Sequence, residues 1–293
     1  MVIAIFGLGL IGGSLGRAIL KKTEYTVLGC DSSEGAVLKA KLLNAVTDVV
    51  NDENIKTADM IALALCPTAA IETMEKIAPK LKKGAMIFDC CGVKRQIVAK
   101  MRELSKAYPD LGFLGVHPMA GREFSGISHS TPSLYERAYI IFTPVAAPIE
   151  KIAEVKKLFL DIGAEGVQIA SADFHDRIIA YTSQLAHVVS SSYIRNPLSR
   201  EHVGFSAGSF KDMTRVAKLN PDMWTELFLH NADYLTAAIE ELQKSLSDLK
   251  SAISKKDADK LHKLLSEGAE MKEYAEKQRK NEEALKDLDK EPY

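Results

Sequence analysis

The chain has only four cysteines in 293 residues, and none forms a CxxC pair. Neither a disulfide framework nor a zinc site is expected from such spacing. Cys90 and Cys91 are adjacent and cannot easily bridge each other, so Cys30, Cys66, Cys90 and Cys91 read as free thiols in a reducing compartment. Charge of one sign is also missing: 38 basic and 39 acidic side chains give a formal net charge of −1. That balance supplies no general field to draw in nucleic acid or an anionic membrane surface. No apolar run reaches the length of a membrane span. Met1 leads straight into Val2, Ile3, Ala4, Ile5 and Phe6 with no basic leader, so no targeting segment is expected and the localisation reads as cytoplasmic. Internal repeats, low-complexity blocks and basic–aromatic patches are absent as well. What remains is an ordinary globular composition, 46% hydrophobic and 26% charged, in a chain long enough for two domains.

The first part of the chain alternates short apolar runs with amphipathic stretches. Strands are expected at residues 2–6, 26–30, 60–65, 85–90, 113–116 and 139–142, each rich in Ile, Val, Leu or Phe, with a last one at 167–169. Helices are expected at 11–21, 34–43, 69–81, 93–105 and about 149–160. Such alternation predicts an α/β fold with a doubly wound parallel sheet over residues 1–170. Beyond residue 170 the strand signals stop, and 171–293 reads as an all-α domain. Ser171 suits the cap of a long helix to Ile194, which Asn196-Pro197 ends. Gly204 and Gly208 mark a loop, and the pattern is helical again from about Met223. Leu235, Ile239, Leu242, Leu246, Leu249 and Ile253 recur at spacings of four and three, a seam for packing helix on helix within the chain or across a dimer. The stretch 270–293 is dense in Lys and Glu and reads as a solvated helix or a frayed tail.

Gly7, Gly9 and Gly12 form a GxGxxG loop, with Leu10 and Ile11 opening the helix that follows. Alone that motif is weak. Here it follows an apolar strand, opens a helix, and precedes Asp31 at the end of the next strand. Gly7 makes the tight turn, Gly9 lets a pyrophosphate approach the backbone, and Gly12 brings helix against strand. The helix N-terminus then offers N–H groups and a favourable dipole to phosphates. Asp31 would accept hydrogen bonds from ribose hydroxyls and repel a 2′-phosphate. Ser32 and Ser33 offer no arginine to neutralise one, so NAD is favoured over NADP.

Of seven histidines, His117, His175 and His187 have informative settings. His117 follows Phe113-Leu114-Gly115-Val116, at the carboxyl end of a strand, where doubly wound sheets bind ligands. A neutral imidazole there can take a proton from a substrate hydroxyl; a tie to a backbone carbonyl is the plain alternative. Asp176, Ala180, Ser183 and His187 are spaced four, three and four, a small and polar stripe suited to a pocket wall or to a contact between domains. His175 reads as support. Arg215, in a glycine-flanked segment, could clamp a carboxylate with its planar fork or form a surface salt bridge.

Taken in order, the glycine loop, Asp31, Asp89-Cys90-Cys91-Gly92-Val93-Lys94, His117-Pro118-Met119-Ala120-Gly121 with Glu123, Ser125 and Gly126, His175-Asp176, the segment 183–187, and the segment 210–215 followed by Trp224 resemble the prephenate dehydrogenases. The resemblance spans nearly the whole chain. It implies an NAD(P)-binding domain and a helical domain that forms a homodimer, and it implies oxidative decarboxylation of prephenate to 4-hydroxyphenylpyruvate in tyrosine biosynthesis. By the same resemblance His117 is the catalytic partner of the ring hydroxyl, His187 helps to hold substrate, and Arg215 binds a substrate carboxylate. Glu123, Asp212 and Trp224 fall at positions that shape or gate the pocket, and Glu123 and Ser125 join Arg215 as candidates to bind substrate. Two departures stand out. Gly92 replaces a serine common in the family, and Ser183-Gln184-Leu185-Ala186-His187 replaces Ser-His-Leu-Pro-His. Arogenate dehydrogenase or a dual-substrate cyclohexadienyl enzyme shares the chemistry and stays open, as does a non-catalytic dinucleotide sensor that would keep the glycine loop but not need His117 or Arg215.

Overall fold

The computed structural model describes the backbone of residues 1–288. Eight strands form one sheet: β1 (Val2–Phe6), β2 (Thr26–Cys30), β3 (Asp48–Val49), β4 (Met60–Leu63), β5 (Met86–Asp89), β6 (Gly112–Pro118), β7 (Tyr139–Ala146) and β8 (Gly166–Ile169). Their spatial order is β3-β2-β1-β4-β5-β6-β7-β8, so the chain starts in the middle and winds outward both ways. The crossovers carry α1 (Leu10–Lys22), α2 (Glu34–Leu42), α3 (Pro67–Ile77), α4 (Arg95–Ala107) and, between β7 and β8, α5 (Ile149–Asp161). The doubly wound sheet expected from the alternation is present. One pair departs from it: β7 runs antiparallel to β6. The connection between these strands contains only a short helical turn, Ile127–His129, and no crossover helix that would return the chain to the opposite edge.

Period-two patterning places apolar groups on both faces of the sheet, as a strand covered on both sides requires. Ile3 and Ile5 of β1 join Leu15, Ile19, Leu158 and Phe159 in one core layer. Ala4 and Phe6 face the other way, with Met74, Ile97 and Met101. Helix α1 packs closely on the turn before it and on the segment after α2, because Gly12 and Gly16 stand where a Cβ would meet their backbone.

After β8 the chain is helical. Ser171 accepts the N–H of Phe174 and caps α6 (Ala172–Ile179); a π-helical turn at Ala180–Gln184 leads directly into α7 (Leu185–Ile194). Asn196 caps a short turn at Pro197–Arg200. Two further helices, α8 (Gly208–Thr214) and α9 (Pro221–His230), precede α10 (Ala232–Lys255) and α11 (Ala258–Leu288). Two compact units result, Met1–Leu235 and a second beginning at Thr236. Along the expected seam on α10, Leu235 is buried, Ile239, Leu242 and Leu249 are half-buried, and Leu246 and Ile253 are exposed. The charged stretch from 270 continues α11 with exposed side chains to residue 281; residues 289–293 of that expectation lie outside the described residues. No described helix is long and apolar enough to cross a membrane.

The packing of α1 is testable at Gly16, where an added Cβ would lie 1.9 Å from the carbonyl oxygen of Ala45. A backbone oxygen cannot rotate away. Gly16→Ala is expected to destabilise the protein by about 1–3 kcal/mol. Urea denaturation checks this; an unchanged midpoint would show that α1 does not pack so closely.

Candidate active site

The glycine loop lies between β1 and α1. Gly7 has φ +90°, a left-handed conformation, and a Cβ there would meet the Ala64 carbonyl oxygen at 2.3 Å. At Gly12 an added Cβ would lie 1.9 Å from the Gly7 oxygen. Gly9 is different: nothing stands within 4 Å of the position a Cβ would take, so the loop is open on that side. Helix α1 has no side-chain cap at Gly9 and no acidic residue in its first turn. Its first N–H groups are therefore free for an anion. Asp31 closes β2 and is held by the N–H groups of Leu8 (2.7 Å) and Ser33 (2.9 Å). Each oxygen keeps a lone pair for an outside donor. These residues fit a dinucleotide: an open backbone for the pyrophosphate, an uncapped helix for its charge, and a fixed carboxylate for the ribose hydroxyls.

From this loop a cleft of about 850 Å³ runs along the carboxyl ends of β1, β4, β5 and β6. Gly9, Leu10 and Ile11 line it beside Cys66, Cys90, Gly92, His117, Glu123, Ser125, Ser183, His187, Arg215 and Trp224. Segments more than 200 residues apart in the sequence thus meet around one space. Asp212 does not line it; it is exposed on α8.

His117 is the penultimate residue of β6, whose end Asp89 anchors. The buried Asp89 carboxylate, at the end of β5, accepts the N–H groups of Val116 (3.0 Å) and Cys91 (2.8 Å) and pairs with the buried ammonium of Lys94. His117 Nδ1 lies 2.8 Å from Nε2 of His175. His175 Nδ1 in turn donates to Asp176 Oδ1 at 2.7 Å. Asp176 has no exposed surface, and it also accepts the backbone N–H groups of Lys94 (2.7 Å) and Arg95 (2.8 Å) at the start of α4. Burial, the neighbouring His175 and the Lys94 charge push the His117 pKa well below the ordinary histidine value. Burial lowers that of His175 too, against the pull of Asp176. Burial alone would raise the Asp176 pKa, but hydrogen bonds from His175 and the two amides hold it below the usual carboxylate range. Neutral imidazoles beside an ionised carboxylate are the result.

The facing wall comes from α6, α7, α9 and the turn after α8. His187 donates through Nδ1–H to the Ser183 carbonyl (3.0 Å), stacks on Trp224 with ring centroids 3.8 Å apart, and has its pKa lowered by burial and by nearby Arg215. Arg215 pairs with Glu123 from the segment after β6, and Ser125 lines the cleft two residues on. The polar stripe divides at the π-helical turn, whose wider winding breaks the regular helix period. Ser183 and His187 face the cleft, whereas Asp176 lies buried under α4. His175, read from the sequence as support, does not line the cleft but contacts His117 from behind it. Its position beside an acidic residue in the first turn of a helix was the available signal, but its contact with a residue 58 positions away was not readable.

Both departures have visible consequences. Gln184 is buried, donates to the Leu227 carbonyl (3.0 Å) and accepts from Asn231 (2.8 Å), so it ties α9 to the π-helical turn. Gly92 leaves an opening in the cleft wall, where a Cβ would meet only Leu227, at 3.6 Å.

Two family models match. The nucleotide-binding domain of prephenate dehydrogenase matches residues 15–168, and its dimerization domain matches 171–267. A cyclohexadienyl dehydrogenase of Zymomonas mobilis is 33% identical over 88% of this chain and 90% of its own length. A prephenate dehydrogenase of Lactococcus lactis is 30% identical over 94% of this chain and 77% of its own. The crystal structure of an Aquifex aeolicus prephenate dehydrogenase with hydroxyphenyl propionate and NAD+ has a TM-score of 0.81 and 26% identity, covering 94% of this chain and 98% of that one.

The histidine shifts have a consequence for stability. An unfolded histidine titrates near 6.5, whereas His117 and His175 resist protonation in the fold. Below about pH 6.5 the unfolded chain therefore binds more protons, and stability falls with pH. Urea midpoints are expected to be lower at about pH 5.5 than at 7.5, with a smaller drop in His117→Asn. Equal midpoints in the wild type would contradict the buried neutral pair.

Proposed function

The chain belongs to the prephenate dehydrogenase family, and from that premise we propose that it catalyses the NAD-dependent oxidative decarboxylation of prephenate to 4-hydroxyphenylpyruvate. The observation that carries this reading is the single cleft joining the open glycine loop, the neutral His117 and the cationic Arg215. NAD, held by Gly7, Gly9, Leu10, Ile11, Gly12 and Asp31, supplies the hydride acceptor when bound. His117 takes the proton of the C4 hydroxyl as the C4–H bond breaks, and the ring carboxylate leaves as carbon dioxide while its bonding pair completes the aromatic ring. Aromatisation provides the driving force, so the chain's task is to position, to accept a proton and to anchor charge. Arg215 anchors a substrate carboxylate once Glu123 gives it up, and His187 and Ser125 bound the same space.

Residues 1–170 form the cofactor domain in this reading, and 171–293 the helical domain through which two copies pair. Exposed Leu246 and Ile253 on α10 support such pairing. Free thiols at all four cysteines and the absence of a spanning helix among the described residues suit a cytoplasmic enzyme. A dual-substrate reading, with arogenate also accepted, draws support from the 33% identity to a cyclohexadienyl dehydrogenase.

NADH formation by the purified protein with prephenate, beside arogenate and with NADP in place of NAD, tests the proposal. Turnover of prephenate with NAD is expected; turnover of arogenate alone would change the substrate, and none of either would refute the reading. Arg215→Ala is expected to raise the KM for prephenate by about 10- to 100-fold, the loss of ~1.5–3 kcal/mol from a charged hydrogen bond. A normal KM would place the carboxylate anchor elsewhere.

A further inference from the structure

The contact between the two histidines admits one proton. Asp176 already receives N–H groups from Lys94 and Arg95 on its two oxygens, so it meets His175 Nδ1 as an acceptor, and the ring proton of His175 sits on Nδ1. His175 is 2% exposed and has the Lys94 ammonium as well as the Asp89 carboxylate in its surroundings. A second proton there would add a buried cation beside Lys94, so Nε2 is bare. Nitrogen atoms 2.8 Å apart with one of them bare require the proton on the other, which is Nδ1 of His117. Only His117 Nε2 is then left to meet a ligand in the cleft.

We propose that His175 and Asp176 are positioning residues that hold His117 in its Nδ1–H tautomer and so present Nε2 to the substrate hydroxyl as a ready base. Free neutral imidazole favours the opposite tautomer, with the proton on Nε2, which cannot accept one there. A base oriented by a second group, which is oriented by a third, is a recurring arrangement in enzymes. The distinctive element here is where the orienting groups come from. His117 lies on β6, whereas His175 and Asp176 lie on α6, and Asp176 is pinned to the start of α4. The helical part of the chain thereby sets the protonation of a residue on the sheet. No atom is transferred along the chain of bonds; the proton from substrate stays on His117 Nε2 until it passes to solvent.

The inference rests on the function proposed above, but part of its test does not. In nitrogen-edited NMR spectra of the whole protein labelled with 15N-histidine, neutral His117, assigned by its absence from His117→Asn, is expected to carry its proton on Nδ1. A proton on Nε2 overturns the proposal whatever the enzyme turns over. In the activity assay, His175→Leu is expected to lower kcat by roughly 10²–10⁴-fold, the usual contribution of a general base, with little change in the KM for NAD. His175→Gln, whose amide oxygen can accept from His117 Nδ1–H, is expected to recover most of that loss. Undiminished kcat in a folded His175→Leu protein would refute the role, as would equal losses in the Leu and Gln variants. Should His175→Leu not fold, the wild-type tautomer and the Gln variant still decide. Absence of prephenate turnover by the wild type would refute the reaction, leaving the tautomer to be read from the spectrum.

Discussion

A buried carboxylate at Asp176 is the constraint on which the site depends. It has no exposed surface, and it accepts from the backbone at the start of α4 and from the ring of His175. Arg95 adds a longer contact to it and reaches on to Asp233 and Asn231, while Asn231 donates to the Asp176 carbonyl. A buried charge is tolerated only where its lone pairs are filled, and removing one member of such a set typically costs about 3–5 kcal/mol. One side chain therefore fixes where α6 meets the sheet, and with it the distance from His175 to His117. Packing and chemistry are set by the same bonds.

Asp89 plays the matching part from within the sheet. It ends β5, holds the end of β6 through the Val116 amide, and neutralises Lys94. Asp89 thus orders the strand end that carries His117, and Asp176 orders the helix that carries His175. The cleft is open at Gly9, where nothing stands within 4 Å of a Cβ position, and at Gly92 only Leu227 comes near; farther along its lining Arg215 pairs with the Glu123 carboxylate. That distribution suits a long ligand with phosphates at one end and a carboxylate at the other.

Much of the fold was legible in the sequence because it follows local rules. The apolar runs at 2–6 and 26–30 coincide with β1 and β2, and Ser171, Asn196 and Pro197 mark the helix boundaries they were expected to mark. The two-residue β3 escaped because two positions carry no period, and α8 because glycines 204 and 208 read as loop. The direction of β7 was beyond local pattern, since it depends on what the chain does between residues 119 and 138. Among the site residues, the glycine loop and Asp31 were readable from spacing. Gathering His117, His187 and Arg215 into one cleft required tertiary structure, and so did the place of His175. Ion pairing across 92 residues, as between Glu123 and Arg215, leaves no trace in a single sequence.

The proposed mechanism stands on His117 accepting the proton whose departure accompanies oxidation of prephenate. Single-turnover mixing of prephenate with enzyme preloaded with NAD, for the wild type and for His117→Asn, tests it most directly. NADH and 4-hydroxyphenylpyruvate are expected to form together in the wild type, and the substitution to slow both by roughly 10²–10⁴-fold while NAD binds as before. Formation at the wild-type rate in the variant would contradict it.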